Sequence, residues 1–294
     1  LFFQLLVGGL ANGSIYALVA LGITVVFKAT EVANFAAGEL LMLGAFVLYN
    51  CFVLWKLPYL ASFVITAFFF AILLGLIMER LAFRPLASYG HLIQVMATLA
   101  LSVTFKGIAR LVWGSDILNV PSPFDFKPVE FSLGSLKIVI SSDNIAIVLV
   151  CLVMMTFFFF FFQKTKRGKM MRATSENMLG AMLVGINVRR VFATIWATGT
   201  VILVIAGVLF VPISTLYIEM GGKVMIKGFA ACILGGFGNL PGALLGGILM
   251  GIIETLFGGY VTTAMMDISS MIVIALVLII KPQGLFGSRV VIKV

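Results

Sequence analysis

Apolar runs of about twenty residues recur along almost the whole of this chain, separated by short stretches of charge, proline or glycine. A run of that length crosses a bilayer as a helix, because the backbone finds no water in the hydrocarbon and must satisfy its polar groups internally. Spans are therefore expected near residues 3–27, 38–54, 59–79, 92–113, 143–162, 191–213 and 267–281. The region 227–257 is left over and is longer than one ordinary span. Composition closes off the soluble alternative: mean hydropathy is +1.20 and only 11% of the 294 residues are charged, where a soluble domain carries about a quarter. The expected fold is an all-α polytopic membrane protein, one domain over residues 1–294, with about 8–10 transmembrane helices including a Gly-rich broken or re-entrant pair.

The stretch from Gln163 to Arg190 interrupts the pattern with Lys164, Lys166, Arg167, Lys169, Arg172, Arg189 and Arg190 against the single acid Glu176. Short loops rich in Lys and Arg stay in the cytoplasm, so 163–190 is read as cytoplasmic. The loops 114–142 and 214–226 then lie outside, and Glu79, Arg80, Arg84 and His91 fall in an inner loop. Trp55, Trp113, Tyr49 and Tyr59 land at outer helix ends, where amphipathic rings prefer the headgroup level. The C-terminal Lys281, Arg289 and Lys293 also belong in the cytoplasm. They reach it only if 227–257 makes two short crossings or turns as a pair of half-helices, and the break is expected in Gly235-Gly236-Phe237-Gly238-Asn239-Leu240-Pro241-Gly242. Within the island, Lys164 to Arg172 marks topology. Its second half, Ala173 to Asn187, reads as a short helix with one apolar side that needs a cytoplasmic surface to bind.

Several chemistries are excluded. The net charge of +9 is distributed as membrane topology rather than as one basic face, so nucleic acid is not a partner. Cys51, Cys151 and Cys232 sit singly in apolar runs, as buried free thiols do. His91 is the only histidine, and neither a metal cluster nor a triad can be built around it. The glycines at 235–242 lack the Lys-Ser or Lys-Thr of a phosphate loop, and Gly180 and Gly185, which have the right spacing, are followed by Ile186-Asn187. ATP hydrolysis is therefore not expected on this chain. The chain opens at Leu1, and a few residues are expected to precede it; the first run is too long and glycine-rich for a cleaved signal peptide.

Two interruptions are candidates for a translocation path: Asn34, Phe35, Gly38 and Glu39 between the first two runs, and Gly235, Gly236, Gly238 and Asn239 at the expected break. Glu39 is either interfacial or has a specific role, since a carboxylate at a helix centre costs roughly 2.5 to 3.5 kcal/mol. Glu254 poses the same choice, with a solvated position near the outer helix end favoured. Gly242, Gly246, Gly247 and Gly251 read as close helix packing. The phenylalanines from Phe157 to Phe162 point in every direction and meet lipid or neighbouring helices. Mixed charge in 114–142 (Asp116, Asp125, Lys127, Pro128, Glu130, Lys137) and in 214–226 (Glu219, Lys223) reads as solvation, or as a docking surface for an external partner.

Five motifs in order, Gly9-Leu10-Ala11-Asn12-Gly13-Ser14-Ile15-Tyr16-Ala17-Leu18, Asn34-Phe35-Ala36-Ala37-Gly38-Glu39, Phe83-Arg84-Pro85-Leu86, Leu183-Val184-Gly185-Ile186-Asn187 and the 235–242 glycines, resemble the permease subunits of branched-chain amino-acid ABC importers. The resemblance covers nearly the whole chain. It implies a multi-pass protein of the bacterial inner membrane with a cytoplasmic C-terminus. Its partners would be a second related permease, two cytoplasmic subunits that carry the ATP and magnesium, and an extracytoplasmic substrate-binding protein. No cofactor is implied on this chain. The island would supply the coupling helix, with Ala173, Glu176, Asn177, Ala181, Leu183, Gly185, Ile186 and Asn187 at the ATPase and Arg84-Pro85 nearby, and transport would proceed by alternating access. Many members of the family have a histidine where this chain has Ala37, so no role of that side chain carries over. Branched-chain or other small amino acids are the first expectation for cargo, with urea, short amides, aromatic acids and sugars as alternatives. A secondary transporter or channel is the rival class; such proteins place ionisable groups at mid-membrane, and few acids stand within these apolar runs. A scaffold without transport activity is a third reading.

Overall fold

The computed structural model describes residues 2–87, 89–123, 129–133 and 136–287. Arg289, Lys293, Asp125, Lys127 and Pro128 lie outside the described residues. Among the described residues eleven helices run in order: α1 (Phe2–Thr30), α2 (Ala37–Leu54), α3 (Tyr59–Leu86), α4 (His91–Trp113), α5 (Ser142–Lys164), α6 (Lys166–Glu176), α7 (Met178–Leu183), α8 (Val188–Ile213), α9 (Met220–Gly235), α10 (Leu240–Tyr260) and α11 (Met265–Ile280). Seven of them, α1 to α5, α8 and α10, are long and apolar enough to cross a membrane. The all-α expectation holds for the bundle. It is modified in the 114–142 loop by a two-stranded antiparallel hairpin, β1 (Val129–Leu133) and β2 (Leu136–Ile140), with Val129 opposite Ile140.

The helices sort by what covers them. Most of α1, α2 and α8 is buried in the bundle, whereas α3 and α5 turn Leu60, Phe69, Leu73, Leu149, Leu152 and Phe157 outward. Apolar side chains exposed in this way mark the face that meets lipid. Along Phe157 to Phe162, Phe158 and Phe162 are buried and the others are not, as a helix immersed in both lipid and protein requires. At the centre, α1 and α10 run antiparallel with their backbones in contact. A Cβ on Gly247 would stand 2.2 Å from Ala17 Cα, and one on Gly251 2.2 Å from Gly13 Cα. Small residues at a seam let two helices approach to van der Waals distance of their backbones, which is how association is gained where lipid is as apolar as the side chains.

Two boundaries differ from expectation. Glu79, Arg80 and Arg84 belong to the last turns of α3 and His91 opens α4, so the inner connection is residues 87–90 only. The Glu79 carboxylate is buried because Arg84 donates to it from Nε at 2.9 Å and Nη2 at 2.8 Å. The second difference is that α9 begins at Met220, inside the stretch read as an outer loop. The chain does break in the glycine cluster, between α9 and α10, so the two helices cover 220–235 and 240–260 rather than sharing 227–257.

Candidate functional site

The ends of the bundle can be told apart by chemistry: one carries the basic island, and the other carries the 114–142 and 214–219 connections, which are tied by reciprocal Leu118 and Leu216 backbone bonds of 2.9 Å. At the second end Trp113 Nε1 donates to Asn50 Oδ1 at 2.8 Å.

The island folds as two helices in series, α6 and α7, and leads into α8, each of the three started by its own polar residue. Thr165 accepts from Gly168 N–H, Asn177 from Gly180 N–H at 2.8 Å and Asn187 from Arg190 N–H at 3.2 Å, so each oxygen satisfies an orphan donor of a first turn. Ala173 and Glu176 therefore close α6, while Ala181 and Leu183 lie on the separate six-residue α7. This corrects the reading of Ala173 to Asn187 as one helix: the Asn177 cap divides it. After α7, Gly185 takes φ +82°. Gly185 N–H bonds Met182 O and Ile186 N–H bonds Ala181 O, a helix stop that wants glycine at the left-handed position. Ala181 is buried, yet Leu179, Leu183 and Val184 are 72%, 88% and 76% exposed. The apolar side read from the sequence is present and uncovered, and Leu179, Met182 and Val184 belong to it although the sequence pointed to their neighbours. Beneath it, Met171 of α6 meets Val25, Phe162, Ile195 and Leu240 at the island ends of α1, α5, α8 and α10.

The two candidate path clusters lie at opposite ends of α9 and are joined through it. At the start of α9 the backbones of Gly38 and Gly221 touch: a Cβ on Gly38 would lie 2.2 Å from Gly221 O. Phe35 N–H donates to Thr98 Oγ1 at 3.1 Å, which holds the Asn34–Glu39 turn against α4 inside the span. The Phe35 ring stacks on Phe229 at 5.3 Å, Phe229 on Phe237 at 5.9 Å, and Phe27 meets Phe237 edge-on at 4.3 Å. At the other end the glycines receive the C-terminal segment: Leu285 N–H donates to Leu234 O, Phe286 N–H to Gly235 O, and Asn239 Nδ2 to Phe286 O. Gly236, at φ +103°, would clash with Gly287 through any Cβ. Asn239 also caps α10 through Gly242 N–H at 3.1 Å.

Glu39 is neither interfacial nor alone. It is 1% exposed, and Lys106 Nζ stands 3.3 Å from its Oε1. Glu254 is likewise 2% exposed rather than solvated, and Lys227 Nζ reaches its Oε1 at 2.5 Å and Asp267 Oδ1 at 3.4 Å. Lys223 pairs with Asp267 and Arg110 with Glu219. The charges of 214–226 thus pair across helices around the first turns of α9 while staying more than half exposed. Sequence reading missed Lys106, Lys227 and Asp267 as partners. An unpaired acid in a run was visible, but its cation stands on another helix.

Among the described residues no group of three His, Cys, Asp or Glu is placed to hold a metal ion. Residues 5–281 match the family described as branched-chain amino acid transport system permease component. The chain is 32% identical to the high-affinity branched-chain amino acid transport system permease protein LivH of Salmonella typhimurium, over all of this chain and 98% of the relative. It is 31% identical to the corresponding protein BraD of Pseudomonas aeruginosa, with the same coverage. A probable branched-chain amino acid transport permease of Methanocaldococcus jannaschii is 28% identical over 97% of this chain and 92% of its own. No solved structure gives a significant match.

Proposed function

Because this chain belongs to the permease component family of branched-chain amino acid transport systems, we propose that it forms, with a second related permease, the membrane path of an ATP-driven importer for branched-chain or other small apolar amino acids. The island end faces the cytoplasm, the C-terminus lies on the same side, and an external binding protein delivers cargo to the other end. Two separate subunits hydrolyse ATP.

The observation that carries the ATP-driven part is the uncovered apolar face of α7. Leu179, Leu183 and Val184 project from a helix whose two ends are fixed by the Asn177 cap and the Gly185 stop. An amphipathic helix with nothing on its apolar side fits a groove on a partner. Rigid capping suits force transmission: a push on α7 passes through α6 and Met171 to the island ends of α1, α5, α8 and α10. Alternating access then follows if that push changes how these helices meet the second permease. The rival carrier reading draws on acids inside the span, and Glu39 and Glu254 each stand beside a lysine that already balances the charge a coupling ion would have to balance.

Purification of the tagged chain from its native membrane should recover an ATP-binding subunit. Proteoliposomes of that complex should take up leucine only with ATP inside the ATPase compartment and a loaded binding protein on the opposite face. Uptake by this chain alone without ATP refutes the reading.

A further inference from the structure

The Glu39–Lys106 pair is half complete. Glu39 Oε1 holds Lys106, while Oε2 is buried with no hydrogen-bond partner, and the neighbouring Asn34 Nδ2 is in the same condition. A buried carboxylate oxygen and a buried amide N–H₂ left unpaired are each costly, and together they offer one acceptor and one donor. Lys106 itself is 35% exposed and so is reachable from outside the pair. At about 1.5 Å per residue, Lys106 lies about 10 Å from the Trp113 end of α4 and about 22 Å from the His91 end, well inside the span.

What adjoins this pair is apolar. Gly38, one residue before Glu39, packs on Met225. Met225, Ile226 and Phe229 line a groove of about 490 Å³ together with Phe35 and with Met271 and Ile274 of α11. That lining is apolar throughout, and beside it stands Lys106, whose Nζ would lie 3.6 Å from a Cβ on Gly222, one turn before Ile226 on α9. An apolar concavity with a few polar groups is the usual form of a small-molecule site. Above it stand Arg110, Glu219, Lys223 and Asp267, each more than half exposed. They stand near the Trp113 end of α4 and at the first turns of α9 and α11, where charge meets headgroups and water rather than hydrocarbon, so the groove lies below a polar rim. Below it, the Phe35, Phe229 and Phe237 rings close the way toward the island.

We propose that Glu39, Lys106 and this groove form a binding station for a zwitterionic α-amino acid with an aliphatic side chain. Lys106 takes the carboxylate, Glu39 Oε2 takes the ammonium, Asn34 Nδ2 adds a donor on the carboxylate side, and the side chain lies along Ile226 and Phe229. Pair and ligand are both neutral overall, so exchanging partners transfers no net charge into the membrane. The station rests on the reading of the chain as an amino-acid permease and names where in the path that cargo is recognised.

The test uses the assembled transporter in proteoliposomes without binding protein. All three cysteines of this chain are buried, so Ile226→Cys adds this chain's one accessible thiol while leaving the ion pair intact, and labelling of the transporter without the substitution is subtracted as the background from the other subunits. Leucine at a concentration filling about nine-tenths of the sites should slow labelling by a methanethiosulfonate reagent about tenfold. Leucinamide, which lacks the carboxylate, and 4-methylpentanoate, which lacks the ammonium, should protect far less. Adding Lys106→Met should erase the preference for leucine over leucinamide, and adding Glu39→Gln the preference over 4-methylpentanoate. If Ile226→Cys does not assemble, Met271→Cys reads the groove from α11. Labelling indifferent to leucine, or slowed equally by all three compounds, overturns the station. Wild-type vesicles assayed alongside separate the two readings: ATP-dependent leucine uptake without protection removes only the station, whereas absence of any amino-acid uptake removes the permease reading with it.

Discussion

At the scale of single residues, the buried charges carry the strongest consequences. Lys227 bridges three helices through Glu254 and Asp267 and lies 5.7 Å over the Tyr16 ring. Replacing it with methionine keeps the length and removes the charge, so Glu254 would stay buried with no cation. Breaking such a pair from one side costs about 3 to 5 kcal/mol, whereas replacing both partners with apolar groups is often neutral. Lys227→Met should therefore lower the unfolding temperature of the purified protein sharply, and Lys227→Met with Glu254→Leu should restore most of it. An additive loss in the double variant would show that the two residues do not act as a pair. The sequence made half of this legible. Glu39 and Glu254 stood out as acids inside apolar runs, but Lys106 is 67 positions from Glu39 and Lys227 is 27 from Glu254. Which cation meets which acid is decided by how α4 and α9 sit against their neighbours, and hydropathy along one chain holds no trace of that.

At the scale of elements, the spans were readable because hydrocarbon leaves the backbone no choice but the helix. The start of α9 was not. Gly221, Gly222 and Lys223 look like loop, and they become helix only because Gly38 packs on Gly221 and Asp267 neutralises Lys223. The island shows the reverse case. Asn177 and Asn187 were read as partner contacts, and the fold uses both side chains as caps. The exposed apolar residues of α7, which packing within the chain does not need, are the face proposed for the ATPase. Leu183→Asp should accordingly change stability by no more than about 0.5 kcal/mol, as exposed substitutions do, while removing the ATP-binding subunit from the co-purified complex. Asn187→Ala should do the opposite, lowering stability by about 1 kcal/mol through loss of the cap with the ATPase still bound. Retention of the ATPase by Leu183→Asp would mean that α7 is not the docking element.

For the whole molecule, two separate arguments meet in one orientation. On the proposed orientation the basic island lies in the cytoplasm, as the distribution of Lys and Arg favours, and from there each span must alternate. Lys281 follows α11, so it reaches the same side only if the chain crosses an odd number of times after α8. The structure has three helices there, α9, α10 and α11, with the glycine turn at 236–239 supplying the extra reversal. That turn meets the island end through Leu240, which lies beside Met171 and Arg172. The other end gathers Tyr260, the start of α11 and the N-terminal part of α1, where Leu5 lies within contact of Gly259. On the proposed orientation the charged belt around α9 lies away from the cytoplasm, on the side from which an importer would receive cargo, with the stacked phenylalanines between it and the island. Cysteines placed at Thr262 and at Val184, both exposed and at opposite ends of the bundle, test this directly. In intact cells with a permeable outer envelope, an impermeant thiol reagent should label Thr262→Cys, while Val184→Cys should react only after the inner membrane is opened. The reverse pattern would turn the belt toward the ATPase side, and a path for import could not then begin there.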